Sequence, residues 1–418
     1  MSGSRRILAE RTGKDALAPG EFVEVPVDLV LSNDITAPLA IREFYRLKAP
    51  GVFDPDRVVI VLDHFTPNRD IRSAGQCAGI REFARKQGIS HFYDGGEAGI
   101  EHVLLPELGL IRPGEVVIGA DSHTCTYGAL GAFATGMGST DIGAAMATGF
   151  TWMRAPEAIR VEVSGRFRPL VGGKDLVLHL ISRLGVDGAT YRSLEFTGPG
   201  TADLSVEGRL TVANMVIEAG AKNGLFGVDD ATVEYLGAAG VTARARKIIP
   251  DDHGYVSTVQ IDLDSLEFQV ALPPLPGNSV AVGEAPRVRL DQVVIGSCTN
   301  GRIEDLRQAA LLLVGRKAAR GLRLIIIPGS PGVYRSALEE GLLETFLDAG
   351  AVISPPTCGP CLGGHMGVLA AGEKALSTTN RNFVGRMGHR DSEVYLSGPA
   401  VAAVSAVTGV ITDPGEMT

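Results

Sequence analysis

Three cysteines have a type and spacing that could support chemistry. Cys298 lies in a Ser-Cys-Thr-Asn-Gly-Arg segment, and Cys358 and Cys361 enclose a Gly-Pro pair. A structural zinc or a closed iron–sulfur cluster usually takes four protein ligands. Three thiols leave one coordination position open, and an open position is where metal-assisted chemistry takes place. The pattern therefore predicts an enzyme.

The residues alone leave other interpretations of these cysteines open. All three could be small buried hydrophobic residues, and the Cys-Gly-Pro-Cys pair could be a redox dithiol. Their placement favours iron–sulfur ligation over zinc, because the predicted strands at 292–296 and 351–354 end just before them and open α/β sheets bind ligands at such ends. Cys77 and Cys125 are interpreted as non-ligands.

Two acid–imidazole groups also follow predicted strands. Asp63-His64 comes at the end of a strand at 57–62, and Asp121-Ser122-His123 follows a strand at 115–119. A histidine whose tautomer is fixed by a carboxylate suits proton transfer. A lone histidine is more often structural, but two in equivalent positions make a functional role as well supported as a structural one.

A third candidate segment, at 377–386, carries Arg381 and Arg386 among small and amide residues. Two arginines at this spacing could bind carboxylates bidentately, although a solvated basic loop is the common alternative. The glycines at 128–138 do not have the spacing of a nucleotide-binding loop, so that function is rejected.

The elements that position these residues indicate an α/β protein. Strands alternate with helices predicted at 73–87, 175–184, 303–314 and 334–346, which is typical of βαβ units with parallel sheets. The pattern changes near Pro156, and the Pro/Gly-rich segment 272–286 has the composition of a linker. We predict three domains, at 1–155, 156–285 and 286–418.

Composition excludes several classes. The chain has 418 residues, 45% of them hydrophobic, and 39 basic against 48 acidic residues give a net charge of −9, a poor match for nucleic acid or anionic membranes. The glycine- and alanine-rich stretch 128–153 is predicted to be a buried loop and helix rather than a membrane span. No signal peptide is predicted, and five cysteines without one indicate a reducing cytoplasm.

Together these segments resemble one family. The Asp-His pair, Gly-Ala-Asp-Ser-His-Thr-Cys-Thr-Tyr-Gly, Ser-Cys-Thr-Asn-Gly-Arg, Thr-Cys-Gly-Pro-Cys-Leu-Gly-Gly and Thr-Asn-Arg-Asn-Phe-Val-Gly-Arg-Met-Gly occur in this order. Over essentially its whole length, the chain resembles the aconitase superfamily, and within it the two-subunit hydro-lyases. The resemblance implies an aconitase-like fold of three α/β domains, with mostly parallel central sheets around an iron–sulfur site and no swivel domain.

The resemblance also implies a role for each matching residue. Cys298, Cys358 and Cys361 would hold a 4Fe–4S cluster, in which one iron has no protein ligand. The implied catalytic residues are Asp63, His64, His123, Asp141 and Glu218, with His64 oriented by Asp63 and Asp141 as the carboxylate neighbour of His123. The implied substrate-binding residues are Asn380, Arg381 and Arg386.

The implied partner is a small swivel-domain subunit that supplies the catalytic serine. The implied substrate is a small hydroxy-dicarboxylate or tricarboxylate, with isomerisation of 2- and 3-isopropylmalate in leucine biosynthesis as the expected activity. Homoaconitate, citramalate and dimethylmalate hydratases share these motifs and remain alternatives. An RNA-binding iron sensor and a structural zinc protein are alternatives of a different class, and the net charge argues against the first.

Overall fold

The computed structural model describes residues 1–244, 248–249 and 253–417. The chain divides into two compact units. Unit 1 comprises Met1–Ser164 and Ala189–Ile261, and unit 2 comprises Gly165–Gly188 and Asp262–Thr418. The three-domain division at 156 and 286 stays a prediction.

The strands are short and are numbered here in chain order. They are β1 (Phe22–Pro26), β2 (Leu29–Asn33), β3 (Val58–Val61), β4 (His91–Tyr93), β5 (Val116–Gly119), β6 (Phe133–Gly136), β7 (Phe150–Arg154), β8 (Glu157–Ser164), β9 (Arg192–Thr197), β10 (Asn223–Leu225), β11 (Ser257–Asp262), β12 (Gln269–Ala271), β13 (Ser279–Ala281), β14 (Gln292–Gly296), β15 (Arg323–Ile327), β16 (Val352–Ile353), β17 (Lys374–Ser377) and β18 (Glu393–Ser397).

The α-helices are numbered in the same way. They are α1 (Gly3–Thr12), α2 (Ala37–Arg46), α3 (Ile71–Gln87), α4 (Glu101–Glu107), α5 (Ser139–Thr148), α6 (Gly173–Leu184), α7 (Val206–Met215), α8 (Asp230–Ala238), α9 (Ser297–Asn300), α10 (Ile303–Leu313), α11 (Pro331–Glu339), α12 (Leu342–Asp348) and α13 (Pro399–Thr408).

Unit 1 is built around a parallel sheet. Its strand order is β4-β3-β2-β5-β6, and each neighbouring pair is parallel. Strands β3 and β5 are buried along their whole length, as expected for apolar runs covered on both faces. Because β2 lies between β3 and β5 and is parallel to both, the loops that follow these three strands leave the same edge of the sheet.

Unit 1 also contains a second sheet, in the order β10-β9-β8-β11, and a β1-β7 ribbon. Strand β9 pairs in parallel with both β8 and β10, and the ribbon is antiparallel. The first helix, α1, joins these elements to the core, since Ile7 and Leu8 are fully buried in the main hydrophobic cluster.

Unit 2 is built around a sheet in the order β13-β12-β18-β17-β14-β15-β16. The pairs from β18 to β16 are parallel, and β12 joins them as an antiparallel strand. The expectation of an α/β fold with mostly parallel sheets is therefore confirmed.

Two details of the predicted elements are wrong. The helix predicted at 334–346 is two helices, α11 and α12, because Gly341 between them adopts a left-handed conformation with φ of 73°. The segment predicted as a linker at 272–286 contains β13, an edge strand that pairs with β12. Its Pro/Gly-rich composition concealed a strand of only three residues.

The glycine- and alanine-rich stretch 128–153 forms a turn, β6, α5 and most of β7, with Ala132, Ala134 and Ala145 fully buried. Across the ranges that the structure describes, none of the helices is long and apolar enough to span a bilayer.

Candidate active site

The three cysteines of unit 2 lie together at the carboxyl edge of its sheet. Cys298 lies in the one-turn helix α9, directly after β14, and the Cys358–Cys361 turn follows β16. The Cys358 thiol is in hydrogen-bonding contact with the thiols of both Cys298 and Cys361. Two loops that are far apart in sequence therefore build one sulfur-lined site.

These three thiols are electrostatically coupled. The hydrogen bonds with Cys298 and Cys361, together with burial, hold the pKa of Cys358 well above its ordinary value. The hydrogen bond from Cys358 lowers the pKa of Cys361. Three neighbouring thiols, two of them buried and one partly buried, cannot all ionise without a compensating cation, and metal ligation requires the thiolate form. The donor set therefore fits an iron–sulfur cluster.

The two remaining cysteines lie in unit 1. Cys77 is buried in α3 and accepts a hydrogen bond from Asn68 Nδ2 at 3.2 Å. Cys125 is buried and donates to the backbone oxygen of Asn214 at 3.5 Å. Each has local neutral partners, in agreement with their interpretation as non-ligands.

The loop after β17 brings amide and guanidinium groups to the cysteines. Asn380 is 2% exposed and its Nδ2 donates to Cys298 Sγ at 3.2 Å. The charge of Arg386 acts on Cys361 and favours its thiolate. Among the described residues, nothing forms a hydrogen bond with the buried Nε of Arg386, so this donor is available to a bound anion. The Arg381 guanidinium lies over the Phe383 ring, 5.8 Å from its centroid.

In unit 1, His64 lies between two carboxylates. Its Nδ1 is 2.7 Å from Asp63 Oδ1 and 3.3 Å from Asp34 Oδ1. Asp34 follows the central strand β2, and Asp63 and His64 follow its neighbour β3. With Nδ1 bound by carboxylates, Nε2 is the nitrogen available for proton transfer.

The charge state of His64 follows from this geometry. Burial disfavours the imidazolium, but the charges of Asp63 and Asp34 outweigh burial and hold the pKa of His64 well above its ordinary value. Burial raises the pKa of Asp63, against the attraction of His64. The arrangement favours the protonated imidazole near neutral pH, as a general acid requires.

A second network surrounds His123, in the turn after β5. His123 Nε2 is 2.9 Å from Glu218 Oε1, and its Nδ1 is 3.2 Å from Asp121 Oδ1. Asp121 also lies 3.0 Å from His102 Nε2. Burial alone would raise the pKa of Asp121, but the hydrogen bonds from both histidines hold it well below its ordinary value.

Glu101 lies between the two networks. Its backbone N–H donates to Asp63 Oδ2 at 2.9 Å, and its Oε1 accepts from Asn33 Nδ2 at 3.0 Å. Oε1 is also 3.5 Å from His102 Nε2. Burial, followed by the charges of Asp63 and Asp121, raises the pKa of Glu101 well above its ordinary value. Burial therefore favours the neutral form of this carboxyl.

Asp141 lies in the first turn of α5 and is only partly buried. Its charge acts on Lys222, whose pKa is lowered by burial. The carboxylates at hydrogen-bonding distance from the His123 ring are those of Asp121 and Glu218. The predicted pairing of Asp141 with His123 stays a prediction.

The structure thus groups the candidate residues in two sets. Asp63, His64, His123 and Glu218 belong to the networks of unit 1, and the cysteines and Asn380 share a site in unit 2. Sequence analysis missed three buried members of the first set, which are Asp34, Glu101 and His102. It did expect a carboxylate partner for His123 at Asp121. Asp34 could have been found, because it is a carboxylate directly after an apolar strand.

Comparisons with known proteins agree on one family. The sequence profile of the Aconitase family (aconitate hydratase) matches residues 6–288 and 284–409. The chain is 58% identical to the 3-isopropylmalate dehydratase large subunit of Moorella thermoacetica and 57% identical to that of Syntrophus aciditrophicus, each over 100% of this chain and 99% of the relative. It is 56% identical to the 3-isopropylmalate dehydratase large subunit 1 of Pyrococcus furiosus, with the same coverage.

A solved structure also aligns with most of the chain. The holo-form of Thermococcus kodakaraensis aconitase X aligns over 90% of this chain and 87% of its own length, with a TM-score of 0.49 and 16% identity. This 16% identity is far lower than the 58%, 57% and 56% identities to the three large subunits.

Proposed function

Because the chain belongs to the aconitase family, we propose that it is the large subunit of a hydro-lyase that interconverts 2-isopropylmalate and 3-isopropylmalate. The observation that carries the proposal is the 58% identity, over the whole chain, to a relative named as such a subunit. The reaction removes water and adds it back. It therefore needs an acid for the departing hydroxyl, a base for the carbon-bound proton and cations for the carboxylates.

Cys298, Cys358 and Cys361 would hold a 4Fe–4S cluster as their thiolates. The sulfur-only donor set and the mutual contacts of the thiols support this assignment. When bound, the cluster supplies an iron without a protein ligand that acts as a Lewis acid towards the substrate hydroxyl.

His64 is assigned as the acid that protonates the departing hydroxyl. Asp63 and Asp34 bind its Nδ1, which orients the ring and keeps the proton on it. In the reverse direction, the same imidazole accepts a proton from water. Protonation makes hydroxide leave as water, which lowers the barrier of the dehydration step.

His123 and Glu218 are assigned to orienting the hydroxyl or water. The 2.9 Å contact between them fixes the ring, and Asp121 binds its other nitrogen. Asp141 enters the proposal as a further carboxylate of this site, on the strength of the family resemblance alone.

Arg381 and Arg386 are assigned to the substrate carboxylates. Guanidinium groups bind carboxylates bidentately and stabilise the negative charge that develops when the neighbouring carbon loses its proton. The buried Nε of Arg386 supports this role. Asn380 donates to Cys298 and is assigned to the ligand environment of the cluster.

A small subunit is the proposed partner. It would be a swivel domain, and its serine would remove the carbon-bound proton of the substrate. The relatives are named as large subunits, which implies a small-subunit partner. The swivel domain and the serine rest on the family resemblance alone. The chain alone is expected to show little or no turnover. Full turnover without any partner would contradict this part of the proposal.

The test is a substrate panel on the anaerobically reconstituted pair. We expect 2-isopropylmalate to be the preferred substrate over homoaconitate, citramalate and dimethylmalate. Cys361→Ser is expected to lose the visible charge-transfer absorbance of the cluster, and Cys77→Ser, which changes a buried non-ligand cysteine, is expected to keep it. A colourless protein that retains zinc, or turnover of the other substrates only, would overturn the proposal.

A further inference from the structure

A buried lysine lies behind the cysteine loops of unit 2. Lys174 is in the first turn of α6 and is 2% exposed. Its Nζ donates to the backbone oxygens of Thr378 at 2.8 Å and Thr379 at 2.6 Å, and lies 3.5 Å from Asn300 Oδ1. Lysine is almost never fully buried unless something compensates its charge, so this placement needs a reason.

The acceptors of Lys174 belong to two segments. One of them carries Cys298, and the other carries the asparagine that contacts Cys298. Thr378 and Thr379 directly precede Asn380, whose Nδ2 donates to Cys298 Sγ at 3.2 Å. Asn300 is two residues after Cys298 in the same one-turn helix. One ammonium group therefore ties together the loop that carries a cysteine and the loop that carries its hydrogen-bond donor.

The orientation of the Asn300 side chain is fixed from the other end. Its Nδ2 donates to Asp305 Oδ1 at 2.8 Å, so its Oδ1 is directed to Lys174. Asp305 also accepts the backbone N–H of Arg302 at 3.0 Å and caps α10. The lysine thus belongs to a chain of buried hydrogen bonds that ends on a helix of the same unit.

The charge of Lys174 is balanced by groups that include the cysteines. Its three hydrogen-bond acceptors are neutral oxygens. Burial lowers the pKa of Lys174 to about 7, against the attraction of Asp305, Cys298, Asp175 and Cys361. That attraction is strongest when the cysteines are thiolates, which is the form that holds a metal.

We propose that Lys174 is a positioning residue for the metal centre, which holds the Cys298 and Asn380 loops in register and offsets the negative charge of the sulfur ligands. The inference rests on the proposed function, because it assumes that the three cysteines hold an iron–sulfur cluster. Groups that orient metal ligands affect metal retention, and charges near a cluster affect its reduction potential.

The experiment compares three substitutions of Lys174 in the full chain. Lys174→Met removes the charge and all donors, Lys174→Arg keeps the charge, and Lys174→Gln keeps a donor and provides the neutral variant if the methionine variant does not fold. Lys317→Met is the control, because Lys317 is exposed and belongs to neither of the cysteine loops. Each reconstituted protein is assayed for iron release to a chelator and for the reduction potential of its cluster.

We expect the neutral variants to release iron about 10- to 100-fold faster than the wild type. Their reduction potential should be lower, because loss of a nearby positive charge disfavours the added electron. Lys174→Arg should restore the potential towards the wild-type value, and Lys317→Met should match the wild type in both measurements.

The outcomes separate this inference from the proposed function. A wild-type chain that holds no cluster would overturn both. A wild type that holds the cluster, with neutral variants unchanged in iron release and potential, would overturn only the role of Lys174. A third outcome is that the neutral variants and Lys174→Arg all release iron faster to the same extent, with the reduction potential unchanged. That result would mean that Lys174 contributes only packing, and it would also overturn the proposed role of Lys174.

Discussion

Replacing Asp34 by asparagine should lower the pKa of His64. Asp34 Oδ1 lies 3.3 Å from His64 Nδ1, and its two oxygens accept the backbone N–H groups of His64 at 3.0 Å and Phe65 at 2.6 Å. Asparagine has nearly the same shape and keeps one of the two acceptor oxygens, so one of the two backbone N–H groups loses its acceptor. The substitution therefore removes a charge and keeps one of the two hydrogen bonds to the loop.

The magnitude follows from the distance. At 3.3 Å and an effective dielectric constant of about 20, two unit charges attract by about 5 kcal/mol. Since one pKa unit corresponds to about 1.4 kcal/mol, this attraction is an upper limit of roughly 3 to 4 pKa units. Asp63, at 2.7 Å, retains its charge in the variant, so the decrease in the pKa of His64 should stay below this limit.

The sign of the change is visible in the pH profile. The raised pKa keeps His64 protonated to higher pH, and turnover that needs the protonated imidazole falls as the pH rises through that pKa. In Asp34→Asn the alkaline limb of kcat should therefore move to lower pH. The pKa itself is measured from the histidine ring resonances by NMR, with His64→Gln to assign the signal.

Asp70→Asn is the matched control. Asp70 is an exposed N-cap of α3, and asparagine is an equally good cap, so this variant should leave the pKa of His64 unchanged. An unchanged His64 pKa in Asp34→Asn would refute the assignment of Asp34 as a group that holds the proton.

Two further predictions concern the fold. Gly296→Ala should abolish cluster binding, measured as iron per chain, because Gly296 has φ of 135° and a Cβ would lie 2.1 Å from the backbone oxygen of Ile327. Gly283→Ala, where a Cβ meets nothing within 4 Å, should bind normally. Asp229→Asn should remove an acid-sensitive part of stability. Burial would raise the pKa of Asp229, but Arg209 holds it at about 2. Because the Asp229 side chain is 45% exposed, although Arg209 is buried, solvent screening limits the contribution of this pair to about 1 kcal/mol. That contribution should be lost as the pH falls from about 4 to 2, measured by urea unfolding.

The sequence was sufficient to predict where the candidate residues lie in each sheet. Apolar runs such as 57–62 and 292–296 predict buried parallel strands, and the polar residues that follow them must emerge at the carboxyl edge. The cysteines, His64 and His123 are all found there. The apolar run and the polar residues after it are adjacent in the sequence, so this placement could be predicted without knowing the order of the strands in the sheet.

The partners of these residues could not be predicted in the same way. His102 meets Asp121, and Glu101 meets Asp63, only because β2 lies between β3 and β5 and α4 packs beside them. Strand order is a property of the whole fold and leaves no local signal in one sequence. The division of a predicted helix at Gly341 was missed for a different reason, since its flanking residues keep a helical pattern.

The central claim is that three thiols hold a cluster and leave one iron open to substrate. Mössbauer spectroscopy of the reconstituted chain with its small subunit, with and without 2-isopropylmalate, tests it most directly. We predict that substrate changes the spectrum of one iron in four and leaves the other three as they were. A spectrum in which no iron responds to substrate, although the protein is active, would contradict the account.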